Sequence, residues 1–301
     1  MPPKTTGLLL GVAGAMLLSP DVLVMRWIEL DHSEILFWRG LFLTFGFSIV
    51  ICARHRLKCL RAFVNAGQAG VVAGIIFAAN TYCFTQAMQQ TSAAAAMMII
   101  STAPLFAALI GWLLLGERIS RRTALTIACT LVGISVIAVD NGGDNSVTGN
   151  LFALGCAICM ATSFNWSRLK APLDLTPGLA LGGLFIAAFS LLGSNGQASP
   201  STVQLGAIAL TAAITMPLGY TLLQLAPRYI SATDVSLCLL LEAIFGAFWV
   251  WLALDEVPTA MTLLGSSVIL VSLTFYAFGN RLTARVKNPT ACQTAARQRG
   301  G

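Results

Sequence analysis

Long apolar segments, separated by short clusters of charged and turn-forming residues, run through almost the whole chain. Several reach the roughly 20 residues that an α-helix needs to cross a bilayer, and some, such as 93–115 and 235–254, are apolar on nearly all sides. A transmembrane β-strand would instead alternate polar and apolar residues. The pattern predicts an all-α membrane protein with ten transmembrane helices, at 7–25, 35–53, 66–86, 93–115, 122–139, 149–169, 177–194, 203–225, 232–254 and 261–280.

Composition and charge agree with this pattern and add an orientation. Only 10% of the 301 residues are charged, against roughly 25% in soluble domains. With the N-terminus inside, all of the 18 Lys and Arg residues except Arg26 and Arg39 fall in or beside cytoplasmic segments, as the positive-inside rule requires. Both termini are therefore expected in the cytoplasm. The net charge of +6 then predicts contact with membrane lipids and no binding of nucleic acid, since no soluble domain presents a basic face.

The two halves of the chain resemble each other. A shift of 139 residues lays Ser92 on Ser231, Trp112 on Trp251 and Glu117 on Glu256. Five spans per half is an odd number, so two such copies must lie in opposite orientations, as inverted repeats around a central cavity. The predicted organisation is a first repeat at 1–140, a second, inverted repeat at 141–280 and a disordered, basic cytoplasmic tail at 281–301.

Three segments carry a family resemblance. They are 104–118, which ends in GWLLLGER, its counterpart 242–256, and FWRG at 37–40. All three resemble the EamA-type branch of the drug/metabolite transporter (DMT) superfamily, within which the chain is most similar to YddG-type exporters of aromatic and other amino acids. The resemblance covers all ten spans and implies a ten-helix exporter in the bacterial inner (plasma) membrane. The family often has Glu-Pro in the ninth span, where this chain has Glu242-Ala243.

Candidate substrate-binding residues come first from a polar stripe that recurs in both halves. Residues at helical spacing in the third span correspond, after the shift of 139, to residues in the eighth: Ala78, Thr81, Tyr82 and Thr85 fall on Pro217, Tyr220, Thr221 and Gln224. The stripe either lines a substrate path or forms hydrogen bonds between helices. Asn80 is a further candidate, but it points about 200° away from Tyr82 on an ideal helix, so Tyr82 ranks higher.

The first and sixth spans and the fourth span add further candidates. A shift of 144 lays Ser19 and Asp21 on Ser163 and Asn165, and Pro20 is expected to loosen the local backbone so that it can bind a solute. Trp166 either stacks on a solute or anchors the helix at the membrane interface. In the fourth span, Met98 and Ser101 form an adaptable face or simple packing.

Besides Asp21, Glu242 and Arg39 are charged residues within predicted spans. Glu242 is near the middle of the ninth span, where a carboxylate costs about 2.5–3.5 kcal/mol to insert. It can carry a coupling proton, bind a substrate amine, or act as a protonated structural donor. Arg39 is expected either to reach the outer surface or to pair with Asp21 or Glu34.

These features favour an exporter of small amphipathic metabolites, amino acids including aromatic ones, working by alternating access. The alternatives are export of other metabolites or cationic drugs, a membrane-embedded enzyme, or a scaffold. An enzyme would need a converging catalytic group, yet the only histidines, His32 and His55, are predicted on opposite sides of the membrane. We expect no cofactor and no metal, because Cys156 and Cys159 have no further ligands nearby in the sequence. A monomer is compatible with the sequence, although Gly70-x-x-x-Gly74 and Gly178-x-x-x-Gly182 allow close packing within or between chains.

Overall fold

The computed structural model is helical almost throughout the part of the chain that it describes. The described residues are 3–28, 30–55, 59–115, 121–139, 146–170, 173–193, 200–226, 229 and 232–287. The helices are α1 Pro3–Trp27, α2 His32–His55, α3 Cys59–Gln90, α4 Ala93–Ile100, α5 Ala103–Leu115, α6 Arg121–Ala138, α7 Val147–Leu169, α8 Thr176–Gly193, α9 Thr202–Ala209, α10 Met216–Leu225, α11 Ala232–Leu254 and α12 Ala260–Lys287.

The length and hydropathy of these helices are those of a multi-pass membrane protein. Within the described ranges, six helical segments are long and apolar enough to cross a membrane, and four shorter apolar helices accompany them. Together they occupy the positions of the predicted apolar segments. The chain is an integral membrane protein with an all-α fold.

The fourth predicted span differs from its prediction, because it is two helices rather than one. α4 ends at Ile100 and α5 begins at Ala103. Pro104 has no N–H to donate to the carbonyl of Ile100, which removes one helical hydrogen bond at the break. The Ser101 and Thr102 hydroxyls donate to the carbonyls of Met98 and Ile99, both at 2.6 Å, and so satisfy the end of α4.

The first span also differs from expectation, since α1 continues through Pro20 without a break. The proline leaves the carbonyl of Met16 without its helical donor. The Ser19 hydroxyl donates to that carbonyl at 3.0 Å, and Trp249 Nε1 donates to the Ser19 oxygen at 3.2 Å. The neighbouring serine therefore replaces the lost hydrogen bond, and the helix is not loosened at the proline.

The eighth span contains a π-helical segment, Leu210–Thr215, between α9 and α10. Pro217 follows it and removes the donor to the Ala213 carbonyl. α2 crosses here at Gly46, where a Cβ atom would meet that same carbonyl and lie 2.7 Å from Pro217 Cγ. A residue without a side chain is thus required for this crossing.

The C-terminal helix is longer than predicted. α12 continues to Lys287, so the first seven residues of the tail expected at 281–301 are helical. The remainder of that tail lies outside the described residues.

Helix packing brings both GxxxG motifs together inside one chain. α3 packs against α8, and a Cβ atom on Gly182 would lie 2.7 Å from the Gly74 carbonyl oxygen. A Cβ atom on Gly178 would likewise meet the Gly70 carbonyl oxygen. The sequence left open whether these motifs pack helices within one chain or between chains. In the structure they pack helices within one chain.

The close approach of α3 and α8 predicts the effect of a single methyl group. Gly178→Ala should lower the free energy of unfolding by about 1–3 kcal/mol, since the methyl group meets backbone that cannot move independently. Thermal unfolding in detergent measures this. Gly206→Ala is the matched control, because nothing lies within 4 Å of its added Cβ atom. Equal melting temperatures for the two variants would contradict the packing described here.

Candidate substrate cavity

A cavity of about 40 Å³ lies among the helices of both halves of the chain. Among the described residues its lining is mostly apolar, with seven polar side chains: Asp21, Arg39, Asn80, Thr81, Ser101, Tyr220 and Glu242. α1, α2, α3, α10 and α11 supply most of them, and Ser101 comes from the break between α4 and α5. A concave apolar site with a few convergent polar groups is typical of a small-molecule site.

An ion pair occupies one wall of this cavity. Arg39 Nη1 donates to Asp21 Oδ1 at 2.8 Å, and Nη2 donates to Asp21 Oδ2 at 2.6 Å. The Arg39 side chain is 0% exposed and that of Asp21 is 4% exposed. Of the alternatives that the sequence left for Arg39, the structure has the pairing with Asp21. The planar, bidentate geometry is the one that best compensates two buried charges.

Arg39 is held on its other sides by soft, polarisable groups. Its guanidinium carbon lies 5.4 Å from the centre of the Phe84 ring, and Nη2 contacts Met216 Sδ at 3.2 Å. Among the described residues, Arg39 Nε has no hydrogen-bond partner. One donor of a buried cation is therefore available at the cavity wall.

The remaining polar groups lie on helices that surround the ion pair. Asn80 Oδ1 accepts a hydrogen bond from Cys156 Sγ at 3.3 Å, and the Thr81 hydroxyl donates to the Phe77 carbonyl at 2.9 Å. Tyr220 packs edge-to-face against Phe77, with ring centres 5.4 Å apart. Glu242 brings a second carboxylate to the same cavity.

Other candidates from the polar stripe take part in helix packing. Tyr82 packs edge-to-face against Phe152 and Phe189, with centroid distances of 6.0 and 5.9 Å. The Thr85 hydroxyl donates to the Thr81 carbonyl at 3.0 Å. The cavity therefore receives Asn80 and Thr81 from α3, whereas the Tyr82 ring lies between α3, α7 and α8. A role for Tyr82 or Thr85 in binding substrate stays a prediction.

The candidates from the sixth span hold helices together near the predicted cytoplasmic side. Asn165 Nδ2 donates to the carbonyls of Ala107 and Ala161, both at 3.0 Å. Trp166 Nε1 donates to the Ala69 carbonyl at 3.0 Å, and Lys170 Nζ lies 5.1 Å from the centre of the Trp166 ring. These contacts favour the anchoring alternative for Trp166.

The last four candidates are on helices that surround the cavity but are not among its lining residues. Met98 is buried in the core, Ser163 and Gln224 are half-buried, and Thr221 is half-buried with a hydroxyl oxygen that has no hydrogen-bond partner among the described residues. Their roles in substrate binding stay predictions.

Several lining residues were not among the candidates: Arg39, Phe84, Met97, Cys156, Met160 and Met216. A charge predicted within a span is itself a signal for a functional site, and this signal could have added Arg39, whose pairing with Asp21 was one of the predicted alternatives, to the substrate-binding candidates. Apolar lining residues give no such signal, because the same residue types fill every helix interface. Among the described residues, no cluster of three or more His, Cys, Asp or Glu side chains could hold a metal ion.

A multi-pass all-helical fold around a partly polar cavity with a buried ion pair is the construction of a membrane transporter. The chain belongs to the EamA-like transporter family, whose profile matches it twice, at residues 5–139 and 147–278. Members of this family are transporters rather than enzymes. The DMT superfamily assignment made from the sequence is thereby confirmed at the level of the family.

Two curated relatives are exporters. The pseudopaline exporter CntI of Pseudomonas aeruginosa strain PAO1 is 25% identical over 239 residues, covering 74% of this chain and 83% of the relative. The protein of the same name from strain UCBPP-PA14 is 26% identical over 238 residues, with the same coverage. A solved crystal structure of a protein with 16% sequence identity matches with a TM-score of 0.64, covering 93% of this chain and 99% of the other. That match concerns the fold alone.

The buried ion pair predicts unequal effects of single and double substitutions. Asp21→Asn should lower the free energy of unfolding by about 3–5 kcal/mol, because it leaves the Arg39 charge buried without compensation. The double variant Asp21→Leu with Arg39→Met should be less destabilised than Asp21→Asn, since no charge remains. Thermal unfolding in detergent measures both. A double variant that melts below Asp21→Asn would show that the pair is not the source of the penalty.

Proposed function

We propose that this chain exports small amphipathic metabolites from the bacterial cytoplasm, amino acids including aromatic ones, by alternating access across the inner membrane. The observation that carries the proposal is the cavity itself. It combines apolar and aromatic walls with a paired guanidinium and a second carboxylate. Such a lining suits a zwitterion with an apolar side chain.

The charges of the lining suit both ends of an amino acid. Arg39 Nε, which has no partner among the described residues, can donate to a carboxylate, and Glu242 can accept from an ammonium group. Phe84 and Tyr220 give the cavity aromatic walls against which an apolar side chain can pack. A phosphorylated solute would call for several convergent cations, and among the residues that the structure describes Arg39 is the one cation in this lining. The resemblance to YddG-type exporters agrees with this substrate class.

The lining also supports the proposed organisation as two inverted repeats of five spans. Several lining residues correspond to one another after the same shift of 139 residues that relates the halves. Thr81 falls on Tyr220, Ile100 on Leu239, Ala103 on Glu242 and Pro104 on Ala243, and all eight line the cavity. The two matches to one family profile, one in each half, support the same division of the chain.

Helix packing supports the repeat in a second way, because packed pairs occur in corresponding sets. α1 packs on α11, and its counterpart α7 packs on α4 and α5, which together correspond to α11. α1 also packs on α10, and α7 packs on α3, which corresponds to α10. The pairs α2 with α8, and α6 with α12, join equivalent spans of the two halves. A two-fold axis in the membrane plane, running through the cavity, would relate all of these pairs.

Export of pseudopaline is the second candidate function. The relatives that carry this name share about a quarter of their residues with the chain over most of its length. Pseudopaline therefore belongs in the first set of substrates tested.

Transport by purified protein in liposomes tests the proposal. Uptake of radiolabelled phenylalanine, tryptophan and threonine should be saturable, and Thr81→Ala should lower it about fivefold, the effect of losing one hydrogen bond to substrate. Thr162→Ala is the matched control, because both hydroxyls donate within their own helix, at 2.9 and 2.8 Å, but Thr162 is not a cavity residue. No flux of any amino acid by folded protein would refute this substrate class.

A pH gradient and Glu242→Gln separate the roles of Glu242. The substitution keeps the shape of the side chain and removes its charge, so uptake should fall at least tenfold if the carboxylate binds substrate or carries a proton. Accumulation only with a gradient, lost in the variant, assigns proton coupling to Glu242. Gradient-independent uptake that the variant weakens assigns amine binding. Unchanged uptake in the variant makes Glu242 structural.

A further inference from the structure

A second ion pair lies at the opposite end of α1 from the cytoplasm, outside the substrate cavity. Arg26 Nε donates to Glu256 Oε2 at 2.7 Å, with side chains only 14% and 20% exposed. Arg26 closes the first span, and Glu256 lies in the short connection between α11 and α12. The pair therefore joins the two halves of the chain.

Each partner also holds a helix end. Glu256 Oε1 accepts a hydrogen bond from the backbone N–H of Ala93, the first residue of α4, at 2.9 Å. Arg26 Nη1 donates to the carbonyl of Met88, near the end of α3, at 3.2 Å. Helix N-termini favour anions and C-termini favour cations, so both charges lie where the helix ends stabilise them. We call this group of four residues the outer clamp.

The outer clamp is positioned to control access to the cavity. All four of its residues fall at span ends that the positive-inside rule places outside the cytoplasm. α4 runs from the clamp at Ala93 towards the cavity, which it lines with Met97 and Ile100. α4 also packs against α11, the helix that carries Glu242. Closing the clamp therefore fixes the helix that separates the cavity from the outer surface.

The strength of the clamp suits a contact that breaks and re-forms. Both side chains keep some exposure, so water can solvate the charges when the pair separates, and the cost is far below that of a fully buried pair. Two elements from different halves must move apart in an alternating-access cycle, and this pair bridges two such elements.

We propose that Arg26 and Glu256 form the outer gate of the transporter: they hold the cavity closed on the outer side and separate when it opens there. This inference rests on the alternating-access mechanism proposed above. Its test does not need the substrate, so it remains decisive whichever solute is transported.

Accessibility of Cys156 from outside measures the state of the gate. Cys156 lines the cavity, and the other seven cysteines are replaced by serine. A membrane-impermeant thiol reagent is then added to intact cells. Arg26→Gln and Glu256→Gln should each raise the rate of labelling about tenfold, the effect expected for loss of a hydrogen bond between charged groups. The double variant should label no faster than the faster single variant.

Two controls distinguish a gate from general loosening. Asn150→Ala removes a neutral contact at the same end, where Thr91 Oγ1 donates to Asn150 Oδ1 at 2.9 Å. Arg54→Gln removes a cation that lies 3.8 Å from Asp174 at the other end. Both should label at the parent rate, and labelling in permeabilised cells shows that Cys156 is reactive in every variant. Unchanged labelling in Arg26→Gln and Glu256→Gln, or equal acceleration in Asn150→Ala, would overturn the proposal.

Discussion

The pairing of Arg39 with Asp21 is the interaction on which the centre of this protein depends. A guanidinium with no exposed surface is stable among apolar helices only when a carboxylate meets it in full contact, so α1 and α2 must present Asp21 and Arg39 at the same height. Met216 and Phe84 then approach the same cation from α10 and α3. One charged side chain thus contacts residues from three other helices and fixes their positions around it. The ion pair lies in the wall of the cavity, so the same charge that orders these helices also faces the site.

Much of the fold could be predicted from the sequence, because the length of the apolar segments and the spacing of the polar clusters between them reflect the thickness of the bilayer directly. Glycine spacing likewise indicated where helices approach closely. The rotation of each helix about its own axis could not be predicted. Polar residues occur on more than one side of the third span, with Asn80 about 200° from Tyr82, so the ring of Tyr82 and the amide of Asn80 could not be assigned to packing and to the cavity. The position of the Tyr82 ring depends on Phe152 and Phe189, which lie far away in the chain.

The positions at which a transmembrane helix breaks also could not be predicted from the sequence pattern. Proline occurs in both α1 and the fourth span, yet only the fourth span breaks. The difference lies in the local hydroxyl chemistry. Ser19 donates to the very carbonyl that Pro20 deprives of a donor, whereas Ser101 and Thr102 donate to carbonyls before the break and end α4 there. The effect of a proline in a membrane helix therefore depends on whether a nearby hydroxyl can replace its missing N–H.

The interruption at Ser101 and Thr102 has a mechanical consequence. A continuous helix across the bilayer moves as one rod, so any displacement at one surface is transmitted to the other. Here α4 has eight residues and a length of about 12 Å, and it meets α5 at a joint beside the cavity. Both pieces pack on α7, and α4 also packs on α11. Bending this span at the joint therefore breaks fewer helical hydrogen bonds than bending it elsewhere, because Pro104 has already removed one there.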